Sequence, residues 1–536
     1  GEFTLNAKKK LGSDFDIDVL AGANLRTNQF EENYQQAPRL AVKDVYTLNN
    51  SRDPLISTSL LTRQKVYSGF AAAQVGFRNY AFVNLTARND WSSTLPRGNN
   101  SYFYPSANAS LVLSEALHIQ SDVLTLLKLR GGWAQVGKDT DPYQEINTYP
   151  FNQPFGSLPL LTVSDKFLNK DLKPEITTST EVGVEAGFFD NRARLDVTYY
   201  NSHSRNQILL ADVSPTTGYL KKLLNTGELS NHGVEVMLGV TPVTTRSGFR
   251  WDVNINYARN VSKVIELDED GFLTNYVLGS SGNIQVLASQ GQRYGALYGT
   301  GFKRDSLNRI LVNSDGTPAT DPTKKILGYY TPTWTGSINN SFSFKGVNLS
   351  FLIDTKQGGS IWSGTNSTGM RTGVLAATMP GRDEEHGGLP YYFDGQKNVQ
   401  LPDHNASAPN GATVKHDGII FDGYTADGKK NAAILAAPDY YKAVYSSNLS
   451  ESAVYDASFI KLREVKLGYM LPVSLVNRWG LQQVNIALVA RNLGYLHKNT
   501  PNIDPETAFN TGNGQGLETL QIPTTRSFGF NLNVSF

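Results

Sequence analysis

The segment RSFGFNLNVSF, Arg526 to Phe536, alternates without interruption. Phe528, Phe530, Leu532, Val534 and Phe536 fall on one face, and Ser527, Gly529, Asn531, Asn533 and Ser535 on the other. Successive side chains of a strand point to opposite faces, so period-two alternation of this kind specifies a β-strand with one apolar face. The pattern recurs. RLDVTYY sets Leu195, Val197 and Tyr199 against Arg194, Asp196 and Thr198. WDVNINY sets Trp251, Val253, Ile255 and Tyr257 against Asp252, Asn254 and Asn256. VNIALVARN sets Val484, Ile486, Leu488 and Ala490 against Asn485, Ala487, Val489 and Arg491. A chain built this way folds into antiparallel sheet.

The connections come in two sizes. Arg78-Asn79, Asp190-Asn191 and Lys345-Gly346 join alternating runs as hairpin turns do. Glu31–Leu61, Gly137–Thr178, Glu266–Tyr330 and Gln357–Tyr455 are long and rich in Gly, Asn, Asp, Ser, Pro and aromatics. Short turns alternating with long loops are the layout of an outer-membrane barrel, with the short turns periplasmic and the long loops extracellular. Strands are expected to begin near Phe3, Phe15, Lys65, Tyr80, Tyr102, Leu126, Thr180, Arg192, Gly233, Phe249, Trp334, Val347, Phe459, Gln483 and Arg526. Ser121–Leu127 reads as a short helical stretch, and Ala296–Arg304 as part of a loop or an extra crossing. About fifteen crossings is an odd number, whereas closed bacterial single-chain barrels have an even one. With Phe536 in the periplasm, the chain would start outside the cell. The expectation is a partial barrel, with strands missing at its amino end.

Composition narrows the classes. Lys+Arg number 49 against 48 Asp+Glu, so no basic excess points to nucleic acid. Charged residues are 18% and aromatics 11%, a profile that favours strands over helices. Cysteine is absent, which excludes disulfides and Cys-based zinc sites. No apolar run is long enough for a membrane-spanning helix, but alternating barrel strands need none. No signal peptide opens the chain, so a processed precursor or a piece of something longer is expected.

Six stretches, in order, resemble the SusC/RagA family of TonB-dependent outer-membrane transporters of Bacteroidetes. They are NDWSSTLP with YFYPSANASLVLSE (Asn89–Pro96, Tyr102–Glu115), LKLRGGWAQVGKD (Leu127–Asp139), LKPEITTSTEVGVEAGFFDNRARLDVTYYNSHSRNQIL (Leu172–Leu209), NTGELSNHGVEVMLGV (Asn225–Val240), DASFIKLREVKLGYMLP (Asp456–Pro472) and ARNLGYL (Ala490–Leu496). The resemblance implies an all-β transmembrane antiparallel barrel of 22 strands around an amino-terminal plug. Residues 1–536 would supply the carboxy-terminal strands, and the plug and first strands would precede them. It further implies import of oligosaccharides or oligopeptides, energised by the TonB complex through the missing plug and lidded by a SusD-like surface lipoprotein. Phe536 resembles the aromatic signal read by the barrel-assembly machinery. One stretch departs from the family: its acidic DxNxDG run is degraded here to VNSDGTPATDP (Val312–Pro322), and no metal is expected there.

Candidate contacts to substrate or lid are Trp91, Tyr102, Tyr104, Trp362, Tyr391 and Tyr392, which lie in or beside the long loops. Tyr and Trp combine an apolar body with a polar tip; the same residues also suit loop packing or the interfacial aromatic girdle. Candidate lumen or plug contacts are Glu181, Glu185, Arg194, Asp196, Asp252, Arg463 and Arg491, with Arg192, Arg250 and Lys461 on the same polar faces. Local ion pairing is the plainer role for them. The run RDEEH (Asp383, Glu384, Glu385, His386) lacks HExxH spacing and reads first as a solvated charged loop, with the nearby His404 and His416 the residues that could complete a metal site. ELDEDGF (Glu266–Phe272) lacks EF-hand spacing and reads as a loop tip. No catalytic or cofactor fingerprint stands in a suitable context, so an enzyme and a cofactor are not expected. Two other classes fit less well: a non-transporting structural or adhesion barrel, and a soluble glycan-binding array, for which no repeat period is present.

Overall fold

The computed structural model describes residues 1–268, 270–506 and 512–536. Fifteen strands form one antiparallel sheet, ordered as they follow along the chain. They are β1 (Glu2–Leu11), β2 (Phe15–Gln36), β3 (Ile56–Phe77), β4 (Ala81–Ser92) and β5 (Ser101–Val112). There follow β6 (Leu124–Lys138), β7 (Glu175–Phe188), β8 (Ala193–Arg205), β9 (Glu228–Thr244) and β10 (Arg250–Glu266). The last are β11 (Trp334–Phe344), β12 (Val347–Gln357), β13 (Phe459–Met470), β14 (Gln483–Lys498) and β15 (Ser527–Ser535). Each strand expected from the alternation is present in this sheet. Among the described residues, no helix is long and apolar enough to cross a membrane.

The chain divides into two compact units. One holds residues 1–191, 198–232 and 266–273, and the other holds 192–197, 233–265 and 274–536. In the first, Gln74, Asn84, Asn108, Gly132 and Glu181 stand in register across β3–β7. Their neighbours one residue along, Val75, Val83, Ala109, Gly131 and Val182, form the matching row on the other face. In the second unit, Leu467, Leu488 and Phe530 share such an apolar row across β13–β15. These apolar side chains are exposed, Leu488 by 63% and Phe530 by 76%. An apolar face of this extent in water would cost about 25 cal/mol per Å² left unburied; hydrocarbon removes that cost, as on a barrel's lipid face.

Hairpin chemistry sets the short turns. Lys345 and Gly346 (φ 46° and 87°) close β11 on β12, and both need the positive φ of a primed two-residue turn. Arg78 and Asn79 (φ 48° and 60°), and Phe189, Asp190 and Asn191 (φ 54°, 54° and 62°), also take positive φ, in the slightly longer turns that lead into β4 and β8.

Two expectations need correction. The helix expected at Ser121–Leu127 is not there. Ser121 Oγ accepts from Val123 N (3.1 Å) and Leu124 N (3.2 Å), a local turn that launches β6 instead. The helical turn falls earlier, at Leu113–Ala116. The Glu31–Leu61 loop is shorter than expected, because β2 and β3 are 22 residues each and stay paired through Gln36 and Ile56. EENYQQ there has no apolar alternation, so only the backbone ladder marks it as strand. Of the two readings of Ala296–Arg304 the loop holds: Ala296–Phe302 is a strand of a separate four-stranded sheet, with Asn275–Ser281, Ile284–Ser289 and Thr320–Tyr329, built within the long connection between β10 and β11.

The other long connections are also built. A second four-stranded sheet joins Leu389–Phe393, Asn398–Gln400, Lys415–Ile420 and Ile434–Ala436. Two helices belong to the same connection, α1 (Gly364–Thr372) and α2 (Ala437–Val444). Ser363 caps α1 by accepting from Asn366 N at 2.9 Å and donates to Glu518 at 2.6 Å.

Candidate functional site

On the polar face of the first unit, Gln74, Asn84, Asn108, Lys128, Arg130 and Glu181 line a groove of about 360 Å³. Glycines make its floor. A Cβ at Gly132 would come 2.4 Å from Asn108 Oδ1, and one at Gly183 would come 2.7 Å from Arg130 Nε. Their absence lets Asn108 and Arg130 lie flat across neighbouring strands. Arg130 donates to Thr198 at 2.5 Å, and Lys128 pairs with Glu185 at 3.4 Å. The groove presents both charge signs and amide groups, which suits polar ligands or a polar protein surface.

In the second unit, the pairing of β13 skips Arg463 on both sides. Leu462 and Glu464 pair consecutively with Ile353 and Leu352 on β12, and with Gly494 and Arg491 on β14. This bulge re-aims the side chain. Arg463 binds Asp354 and Glu506, the latter at 2.6 Å, and Asn492 at 3.1 Å. Lys461 Nζ donates to Glu506 Oε2 (2.5 Å), Thr524 Oγ1 (3.0 Å) and Tyr495 Oη (3.3 Å). Tyr495 donates to Asp504, which also accepts from Thr524 N at 3.0 Å. Burial pushes the Glu506 carboxyl up, but hydrogen bonds from Arg463 and Lys461 outweigh it and hold the group below its ordinary range. The network fastens the connection carrying Asp504 and Glu506 onto the polar face of β12–β14.

A cleft of about 800 Å³ opens between α1 and α2. Arg371, Arg382, Lys442, Asp417 and Tyr441 line it. Arg382 is spent on the backbone, donating to Thr378 O (2.8 Å) and to Gly373 O. Tyr441 donates to Pro380 O at 2.9 Å. Arg371 and Lys442 are exposed and turn the cleft cationic.

The expected aromatic contacts divide. Tyr102 is 7% exposed and packs with Leu95, Leu172 and Leu223. Tyr104 stacks on it at 6.0 Å and donates to Asp90 at 2.7 Å. Tyr391 is 1% exposed, donates to Asp417 at 3.1 Å, and has its phenol pushed up by burial. Trp362 is half-buried against Ile284, Val286, Leu297 and Leu517. Tyr392 is half-buried, and Trp91 is 43% exposed on β4. Packing therefore occupies Tyr102, Tyr104 and Tyr391, and Trp91 presents the most open surface of the six.

The expected polar-face charges mostly pair locally. Asp252 binds Arg250 (2.7 Å) and Thr241 (2.6 Å), and Arg491 binds Glu464 (2.7 Å). Glu181 lines the groove and Glu185 pairs with Lys128 at 3.4 Å, while Arg194 is exposed and Asp196 half-buried on β8. Phe536 follows β15 and is 84% exposed. Asp315 in the degraded acidic run accepts from Thr317 N (2.9 Å) and Oγ1 (2.6 Å), an ordinary turn. In ELDEDGF, Asp268 accepts from Gly271 N at 3.0 Å as a turn does, and Glu269 lies outside the described residues. His386 pairs with Asp383 at 2.7 Å, and that contact holds the Asp383 carboxyl below its ordinary range. His404 and His416 meet at 2.9 Å.

Sequence reasoning missed Glu506, Asp504, Arg371 and Lys442. All lie outside the alternating runs, where no periodicity assigns a face. Lys128, Arg130 and Asn108 were within reach, because each alternates with apolar neighbours in LKLRGG or SANASL.

Comparison with known proteins agrees with this architecture. A family described as TonB dependent receptor-like, beta-barrel, matches residues 2–309. TonB-dependent receptor P3 of Formosa agariphila is 23% identical over 99% of this chain and 52% of its own length. TonB-dependent receptor SusC of Bacteroides thetaiotaomicron is 26% identical over 48% of this chain and 26% of its own length. A solved structure of the RagAB peptide transporter superposes on all of this chain with a TM-score of 0.72 at 17% identity, covering 55% of that chain. The chain thus spans about half the length of the relatives it matches end to end. With a family match over more than half of its residues and the fifteen-stranded sheet to carry it, this chain belongs to the TonB-dependent receptor β-barrel family.

Proposed function

We propose that this chain forms the carboxy-terminal strands of a plugged barrel that imports a bulky nutrient, an oligosaccharide or oligopeptide, across the outer membrane. The observation that carries the reading is the two-faced sheet. One face exposes apolar rows suited to hydrocarbon, and the other gathers Asn, Glu, Lys and Arg into polar grooves suited to a wet lumen or a plug. The plug and the remaining strands would come from the rest of the protein, and the TonB complex would act through that plug. The long connections would face outward and Phe536 the periplasm. Their folded sheets and helices would give a SusD-like lipoprotein a firm surface to close upon. The cationic cleft at Arg371 and Lys442 lies in the longest of them and would hold an anionic group of the nutrient.

The test is uptake in the native host. Deleting the gene for the full-length protein should abolish growth on one oligomeric nutrient. Restoring it should require a functional TonB complex. Pull-down of the detergent-solubilised protein should bring a surface lipoprotein with it. Uptake that persists without TonB, or a deletion strain that grows normally on every oligosaccharide and oligopeptide supplied, would favour the adhesion or structural barrel instead.

A further inference from the structure

Among the described residues, one cluster of potential metal-ligating side chains converges, within the long connection between β12 and β13. Glu384, His404 and His416 each offer one donor atom, and the three atoms lie within 4.8 Å of one another. His404 Nδ1 is 2.9 Å from His416 Nδ1 and 3.9 Å from Glu384 Oε2. The ring centroids are 5.2 Å apart with planes 24° from parallel. That separation exceeds the nitrogen distance by about two ring radii, so the imidazoles meet nitrogen to nitrogen rather than face to face. Two ring nitrogens at this distance suit one hydrogen bond or one shared cation between them.

The donors come from three separately anchored segments. Glu384 sits on a turn closed by Gly381 N to His386 O (2.8 Å) and Gly388 N to Asp383 O (2.7 Å). His404 follows Asp403, whose carboxylate accepts from Asn405 N at 2.8 Å. His416 lies on the strand Lys415–Ile420, paired to Leu389–Phe393. The first and third press together: a Cβ at Gly388 would come 2.1 Å from His416 O. The fold itself therefore brings the donors together.

We propose that Glu384, His404 and His416 bind a divalent transition-metal ion, Zn²⁺ foremost, through the two Nδ1 atoms and one carboxylate oxygen, with water completing the shell. Two imidazoles and a carboxylate suit Zn²⁺, Ni²⁺ or Cu²⁺ and not the all-oxygen shells of Ca²⁺ or Mg²⁺. Zn–N distances of about 2.0–2.1 Å in a tetrahedral shell need the nitrogens about 3.3 Å apart, so the rings would part by about 0.4 Å and turn until their Nδ1 lone pairs, which face each other in the structure, converge on the ion. His386 is not among the three donors that converge here. The ion would clasp three segments of the longest connection and stiffen it.

Co²⁺ is the probe. Untagged full-length protein, stripped with chelator and held in detergent, is titrated while visible absorption is recorded. The expected result is a saturable ligand-field band at one ion per chain, displaced by Zn²⁺. H404A and H416A should each weaken binding by about 10-fold or more, and E384Q by less. H386A should bind as wild type. H404Q and H416Q serve as a second pair that keeps a polar side chain, and heat-modifiable gel mobility verifies that every variant is a folded barrel. No saturable band, a band that survives in H404A and H416A, or one lost in H386A would each overturn the assignment.

Discussion

Lys461 Nζ on β13 lies 2.5 Å from Glu506 Oε2, and the Lys461 side chain is only 1% exposed. Glu506 is 23% exposed and is shared with Arg463. A buried ammonium without a carboxylate is costly, whereas an apolar replacement of both partners is tolerated far better. E506Q should therefore destabilise the anchored connection by about 3 kcal/mol, the lower end for a broken buried pair given Glu506's partial exposure. K461M combined with E506Q should cost less than the sum of the two single changes. Limited proteolysis between β14 and β15 reads this directly. Wild-type protection in E506Q would show that the pair does not hold the segment.

The same carboxylate predicts a pH dependence. Folding lowers the Glu506 pKa from its ordinary 4.5, burial opposing and Arg463 and Lys461 prevailing. A depressed carboxyl stabilises the folded state above its unfolded pKa, and that stabilisation disappears as pH falls through the folded value. Amide exchange in the β14–β15 connection, taken relative to each amide's intrinsic rate at the same pH, should be unchanged from pH 7 to about 5 and should rise as pH drops below about 4. Exchange that rises equally in E506Q would assign the effect to another group.

Tyr102 and Trp91 separate packing from contact. Y102A removes a buried ring from the Leu95, Leu172 and Leu223 cluster and should cost about 3–5 kcal/mol. W91A removes a side chain 43% exposed and should change stability by about 0.5 kcal/mol or less. Tm in detergent distinguishes them. If Y102F, which keeps the ring, impaired nutrient binding while leaving Tm intact, Tyr102 would be a contact after all.

Gly388 tests the loop that carries Glu384. A methyl group there would meet three backbone carbonyls, His416 O at 2.1 Å and Asp383 O and Gly381 O at 2.8 Å each. None can swing aside as a side-chain tip would, so G388A should open the 381–388 turn. Trypsin should then cut after Arg382 faster than in wild type, with heat-modifiable mobility unchanged. Equal cutting rates would mean that the turn adapts at little cost.

Much of the fold was legible because its determinant is local. The alternation that sets Phe530 and Leu488 on one face needs only neighbouring residues to be read, and it located all fifteen strands. The turn at Lys345-Gly346 was equally plain, since Gly346 meets the positive φ that a two-residue hairpin turn needs. Strand ends were harder. EENYQQ continues β2 through backbone pairing with β3, and its side chains carry no sign of that. The start of β6 was harder too, because the contacts of Ser121 Oγ with Val123 N and Leu124 N make a turn there and not a helix.

The site residues show where local reading ends. Alternation by itself determined that this protein makes a two-faced antiparallel sheet, because side-chain period follows from backbone geometry alone. Which charges meet was decided only by tertiary structure. Lys461 and Glu506 are 45 residues apart, and Glu384 joins His404 and His416 only when a turn, a second turn and a strand fold together. Such pairings depend on the path of long connections, where no period constrains the chain. Burial acts in the same way: it made Tyr391 a core residue and left Trp91 open, although the two read alike in the sequence.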